Sequence, residues 1–141
     1  MRGGELVEAL KVRALPEGSD DRDALVEFLK LYRDALQLVV NRLWSLDEVP
    51  SIKTLHGMFY SELRKLGFRA HHVKQIYVYA KTVVKACKRN NGRKPVLRRL
   101  TARIDRYDYK LDLENGTLVL KIHGNREVKL RLLTSTDRIE K

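Results

Sequence analysis

Apolar and polar positions change rhythm three times along the chain. In residues 5–14, Leu6, Leu10 and Val12 share one parity while Lys11 and Arg13 take the other. That period of two predicts a strand, which Pro16 and Gly18 close. From 20 to 46, Leu25, Phe28, Leu29, Tyr32, Leu36, Val39, Val40 and Leu43 recur at three-four spacing, the signature of a helix with one buried face. Ser19, Asp20 and Asp21 are its candidate N-caps, and Asp23 adds negative charge where the helix dipole favours it. Pro50 breaks the pattern, and Ser51 is placed to cap a second helix with Leu55, Met58, Phe59, Leu63 and Leu66 as its stripe. Gly67 can end that helix. A third helix is predicted from 70 to 90, burying Val73, Ile76, Tyr77, Ala80, Val83, Val84 and Cys87 and stopped by Asn90-Asn91-Gly92.

After Pro95 the period returns to two. Val96, Leu100, Ala102 and Ile104 alternate, with some irregularity, against Leu97, Thr101 and Arg103. Three further runs follow: Tyr109, Leu111 and Leu113; Leu118, Leu120 and Ile122; Val128, Leu130 and Leu132. Asn115-Gly116 predicts a type I′ hairpin, because that turn needs positive φ at both central positions. His123-Gly124-Asn125 marks the next turn. Four one-faced strands need cover for their apolar side. The pattern therefore predicts an α+β fold: an antiparallel β-barrel of 5–14 and 96–133, a bundle of about three helices (20–91) inserted between its strands, and a C-terminal tail of 134–141.

At 141 residues the chain is long enough to fold without staples. No apolar run approaches the roughly 20 residues of a membrane span, and Met1–Glu5 lacks the apolar core of a signal peptide. The single cysteine, Cys87, excludes a disulfide framework and multi-cysteine metal sites. Cytoplasmic location without membrane contact is the expectation. Charge changes the picture more. The net charge is +11, yet residues 1–62 carry −3 and residues 105–141 only +1. Residues 63–104 hold 13 Lys and Arg and no acid. A concentrated acid-free window reads as a footprint for a polyanion, with nucleic acid first among the candidates.

Within that window Lys74, Lys81, Lys85 and Lys88 share one face of the third helix, away from its apolar stripe. Arg89, Arg93, Lys94, Arg98, Arg99 and Arg103 continue the charge into the following segment. Rows of cations on a rigid element neutralise successive phosphates and release condensed counterions. Arg adds bidentate contacts that Lys does not make. A solvated helix face usually mixes signs and forms i,i+4 pairs, and this one has no acid to pair with. Tyr79, off the apolar stripe, is the candidate for stacking on a base, whereas Tyr77 lies on the stripe and belongs to the core.

Other residues read more plainly. His56, His71, His72 and His123 lack the spacing of a helical metal site. His71 and His72 are expected as surface polar groups. Asp105, Asp108, Asp112 and Glu114 are expected on a solvated sheet face opposite Arg103, Arg106 and Lys110 rather than at a magnesium site. Cys87 and Trp44 are expected to pack. No phosphate loop, nucleophile elbow or CxxC is present, so neither an enzyme nor a cofactor is expected.

The order of these parts has a parallel. A basic strand ending at Pro16 is followed by a long helix carrying Leu31-Tyr32-Arg33-Asp34-Ala35. Lys94-Pro95-Val96-Leu97-Arg98-Arg99-Leu100 then leads to Tyr109-Lys110-Leu111-Asp112-Leu113 and the hairpins. This layout, over roughly 6–133, resembles the N-terminal part of the transposon-encoded TnpB (OrfB) proteins, compact RNA-guided nucleases. The resemblance implies a wedge-type barrel with an inserted recognition lobe that grips guide RNA and target DNA. It also implies a nuclease half that would lie beyond residue 141, so that this chain is an excised domain or a truncated relative that binds and does not cut. The alternatives are a free-standing RNA- or DNA-binding protein and a basic module that docks an acidic protein.

Overall fold

Gly18, rather than the acidic residues after it, begins the long helix. The structure, a computed structural model, describes residues 14–90 and 92–133. The Gly18 carbonyl accepts the Arg22 N–H at 3.0 Å, without a side-chain cap. Ser19, Asp20 and Asp21 instead lie in the first turn, where the two acids complement the dipole. Helix α1 spans Ser19–Trp44, two residues short of the expected end. Helix α2, Ile52–Lys65, is capped by Ser51, whose Oγ accepts the Thr54 N–H. Gly67, at φ 102°, turns the chain out of α2. Helix α3 spans Ala70–Arg89.

Strand β1, Ala14–Pro16, holds the last residue of the expected N-terminal strand; residues 5–13 of that strand, and the tail 134–141, lie outside the described residues. Strands β2 (Tyr109–Asp112), β3 (Thr117–Ile122) and β4 (Arg126–Leu132) form an antiparallel meander. β1 joins the free edge of β4, with Ala14 opposite Leu132. The sheet order is β1-β4-β3-β2, so strands from the two ends of the chain are neighbours and the three helices lie between them in sequence.

The expected barrel is not formed: among the described residues the sheet is open, with β1 and β2 as its edges. The cause lies in residues 96–104, whose alternation predicted a fourth meander strand. They form no strand, and the chain bends at Arg99. Their backbone is held by side chains of α1 instead. Gln37 donates to the Pro95 carbonyl at 3.0 Å and accepts the Leu97 N–H at 2.7 Å. Tyr32 Oη lies 3.3 Å from both the carbonyl and the N–H of Arg103. These two side chains satisfy backbone groups that a ladder would otherwise satisfy. The segment thus becomes a strap along α1, with Leu97, Ala102 and Ile104 packed inward. Replacing Gln37 by Leu removes both ends of one clamp, at about 0.5–1.5 kcal/mol per bond. Amide exchange at Leu97 is expected to speed up on the order of tenfold, read by mass spectrometry, while α1 exchange stays unchanged.

The type I′ signal also falls elsewhere. Asp112 and Thr117 are paired, so four residues make the first turn; Gly116 alone is at positive φ, and Asp112 accepts the Asn115 N–H. Two consecutive positive-φ residues occur in the second turn, at Gly124 (69°) and Asn125 (58°). That turn also docks the helices, since the Gly124 N–H donates to the Gly67 carbonyl at 3.0 Å. One core joins helices and sheet: Phe28, Tyr32, Val39, Phe59, Phe68, Ile76 and Val84 are in the same cluster as Ile122, Val128 and Leu130. Phe28 is its aromatic hub, with ring centroids of Tyr32, Phe68, His72 and His123 at 5.1–6.2 Å. Met58 and Leu66, expected in the α2 stripe, are exposed, because only Leu55, Phe59 and Leu63 face the core.

Candidate nucleic-acid interface

Packing α3 against α1 and α2 through Val73, Ile76, Tyr77, Ala80 and Val84 fixes where its other side chains go. At roughly 100° per residue, Lys74, Lys81 and Lys85 fall within about 40° of one another, and Tyr79 lies about 140° away around the axis. The lysines and the tyrosine therefore flank the solvent face of α3, with exposed Thr82 and Arg89 between them. Lys74 and Lys85 are exposed and Lys81 is half-buried. The fourth ridge residue behaves differently. Lys88 donates to the Leu46 carbonyl at 2.6 Å and lies 5.4 Å from the centre of the Trp44 ring. It ties α3 to the α1–α2 connection and is occupied there.

The strap carries Arg98, Arg99 and Arg103 to the Tyr79 side, and Lys94 to the side of Asp34, Gln37 and Asn41 on α1. Arg93, Lys94, Arg98 and Arg99 are exposed. Arg103 stacks its guanidinium on Tyr79, 4.0 Å from the ring centre. Between α1, Tyr79 and the strap lies a groove of about 370 Å³ lined by Arg33, Leu36, Tyr79, Leu97, Arg98 and Arg99 among others. Arg33, from the −3 segment of the chain, was not among the residues singled out by charge. Its place on α1 beside Gln37, one turn from the strap's anchor, is what brings it here. The interface is thus two cationic borders across one helix face, not one ridge running straight into a loop.

None of Lys74, Lys81, Lys85, Arg89, Arg93, Lys94, Arg98 or Arg99 forms an ion pair with another described residue. The acids that could have answered them are used elsewhere. Asp108 is not on a solvated sheet face: it is fully buried, and its Oδ1 accepts from Arg69 Nε at 2.8 Å. Asp105 caps the 3₁₀ turn at Arg106–Asp108 through the Tyr107 N–H. Asp112 is held by Asn115, whose backbone and side-chain hydrogen bonds lower its pKa. Glu62 is paired with Arg42, which lowers the carboxyl pKa and raises that of the guanidinium.

One more expectation is overturned beside Asp108, while His71 is exposed as expected. His72 is fully buried rather than a surface group. Its Nε2 must carry hydrogen, because it meets the Lys121 carbonyl at 2.8 Å. Its Nδ1 then faces Asp108 Oδ2 at 3.7 Å, and neither atom has a hydrogen-bond partner. His71 Nδ1 reaches the same oxygen at 3.7 Å while its ring stacks on Tyr107. Burial lowers the His72 pKa, opposed by the carbonyl bond and the Asp108 charge. A histidine held below its ordinary 6.5 stabilises the fold above that pH, and the contribution is lost as pH falls through the folded value. Melting temperature is expected to drop between pH 7.5 and 5.5, and His72→Gln is expected to flatten that slope.

Cys87 is a half-buried free thiol and Trp44 packs against the core. Tyr32 is pushed up to about 12, chiefly by burial. Among the described residues no group of three His, Cys, Asp or Glu side chains could hold a metal ion, and no helix is long and apolar enough to cross a membrane. No protein-family model, curated protein sequence or solved structure matches the chain.

Proposed function

We propose that this chain binds nucleic acid across the solvent face of α3, with Lys74, Lys81 and Lys85 on one border and Arg93, Lys94, Arg98 and Arg99 on the other. One observation carries the reading: eight exposed or half-exposed cations from one acid-free window form no ion pair with any described residue. Unanswered like charges cost stability on a folded surface, and a phosphate backbone offsets that cost through contact and counterion release. The finer role implied by the resemblance to TnpB-type proteins is gripping a structured guide RNA beside its target. Helices entering between strands of one sheet suit that role, although its wedge barrel finds no counterpart in the open sheet.

The chief competitor is an acidic protein partner, and a competition assay separates the two. A labelled RNA hairpin, a DNA duplex and a DNA single strand are each titrated with the chain, then challenged with polyglutamate at matched charge. Retained nucleic-acid complexes support the proposal. Displacement of all three at equal charge favours the acidic protein.

A further inference from the structure

The arginine groove has features that phosphate binding alone does not require. Apolar Leu36, Val96 and Leu97 line it together with Tyr79, Arg33, Arg98, Arg99 and Thr101. At about 370 Å³ it falls at the small end of ligand pockets, the size of one nucleotide rather than of a helix. Duplex nucleic acid presents phosphates and groove edges, but no free base face, to such a site. An unstacked base does present one, and aromatic rings and arginine planes are the surfaces that proteins use to receive it.

Tyr79 is pre-set. Arg103 covers one face of Tyr79 at 4.0 Å, and the backbone on both sides of the Arg103 Cα is fixed by Tyr32. The strap is set by Gln37, which holds Pro95 and Leu97 on either side of the exposed Val96. Apolar side chains, a tyrosine and two arginines without an ion pair to a described residue, Arg98 and Arg99, match the parts of a nucleotide, a flat base and an anionic phosphate; Arg33 is held by Asp34 at 3.3 Å.

Resting on the nucleic-acid reading above, we infer that this groove receives one unstacked nucleotide, its base against Tyr79 and its phosphate on Arg98 and Arg99, so that the chain selects single-stranded or bulged nucleic acid over continuous duplex. The lysine border of α3 contributes affinity without strand selection, and the groove supplies the selection.

The test uses the 141-residue chain and three fluorescent ligands of equal length: a single strand, the same strand in blunt duplex, and that duplex with a one-nucleotide bulge. Wild type is expected to bind the single strand and the bulged duplex about tenfold tighter than the blunt duplex. Tyr79→Leu is expected to bring the three ligands within about twofold of one another, and Tyr79→Phe to retain the preference. Thr101→Glu, at an exposed position lining the groove, guards against a folding artefact and is expected to reduce the preference as well. Equal binding of all three ligands by wild type overturns the inference and leaves the nucleic-acid reading standing. So does a preference untouched by both Tyr79→Leu and Thr101→Glu. Failure to bind any ligand removes both.

Discussion

Serine at Lys81, Lys85, Arg89, Arg93, Lys94 and Arg98 is expected to leave the chain folded and to strip most of the proposed affinity for nucleic acid. None of the six is in the core cluster, and none has an ion pair with a described residue. Their loss therefore removes charge without orphaning a partner. If about six of the cations touch phosphate, the log–log salt slope of wild type is roughly −4 to −5, and the variant falls to about −1. At moderate salt the affinity drops on the order of 100-fold or more. Lys88→Ser is the internal control. That ammonium holds the Leu46 carbonyl and covers Trp44, so its loss is expected to lower the melting temperature while the salt slope stays within one unit of wild type.

Arg69→Met is expected to be the most damaging single charge deletion. The Asp108 carboxyl is fully buried and keeps Arg69 Nε at 2.8 Å as its hydrogen-bonded counter-charge, while the histidines beside it stand at 3.7 Å. Removing one partner of a buried pair leaves the other desolvated and unpaired, which costs 3–5 kcal/mol in fully buried cases. The Arg69 side chain is about one-third exposed (32%). Solvent screening therefore reduces the expected loss to about 2–3 kcal/mol. Asp108→Asn is expected to cost much less. Its amide oxygen still accepts from Arg69, and its NH2 group can turn toward the unpartnered His72 Nδ1. Denaturant melts of both variants and of the double variant read the difference, and strictly additive losses would show that Arg69 and Asp108 do not act as a pair.

The helices were legible because their apolar positions keep a three-four period for 14 to 26 residues, and each period meets a visible stop. The meander of 109–132 was legible from the alternation around two turn signals, and so was the N-terminal strand joining the same sheet; its place beside β4 was not. What the pattern could not show was who satisfies a backbone outside the sheet. Residues 96–104 alternate like a strand, yet their hydrogen bonds come from Gln37 and Tyr32, 58 to 71 residues away in sequence. Period two reports that one side is buried; it does not report a ladder. Asp108 and His72 were read as surface groups for the same reason. A polar residue is buried when a distant partner reaches it, and Arg69 and the Lys121 carbonyl are 39 and 49 residues away.

The candidate site was half legible. The acid-free window marked the cations on both borders, but not their separation around α3. Helix phase contains that separation: Tyr79 and Lys81 are two residues apart, hence far around the axis. Arg33 carried no signal, since it belongs to an acidic stretch and enters the groove only because Gln37 draws the strap across α1.

The central claim is that the cations flanking α3 hold a phosphate backbone, and the most direct test is the affinity of the unaltered chain for an RNA hairpin and a DNA single strand from 50 to 200 mM salt. A linear log–log loss with a slope of roughly −4 to −5 is the predicted result. Affinity too weak to measure at 50 mM, or a slope near zero, would contradict it.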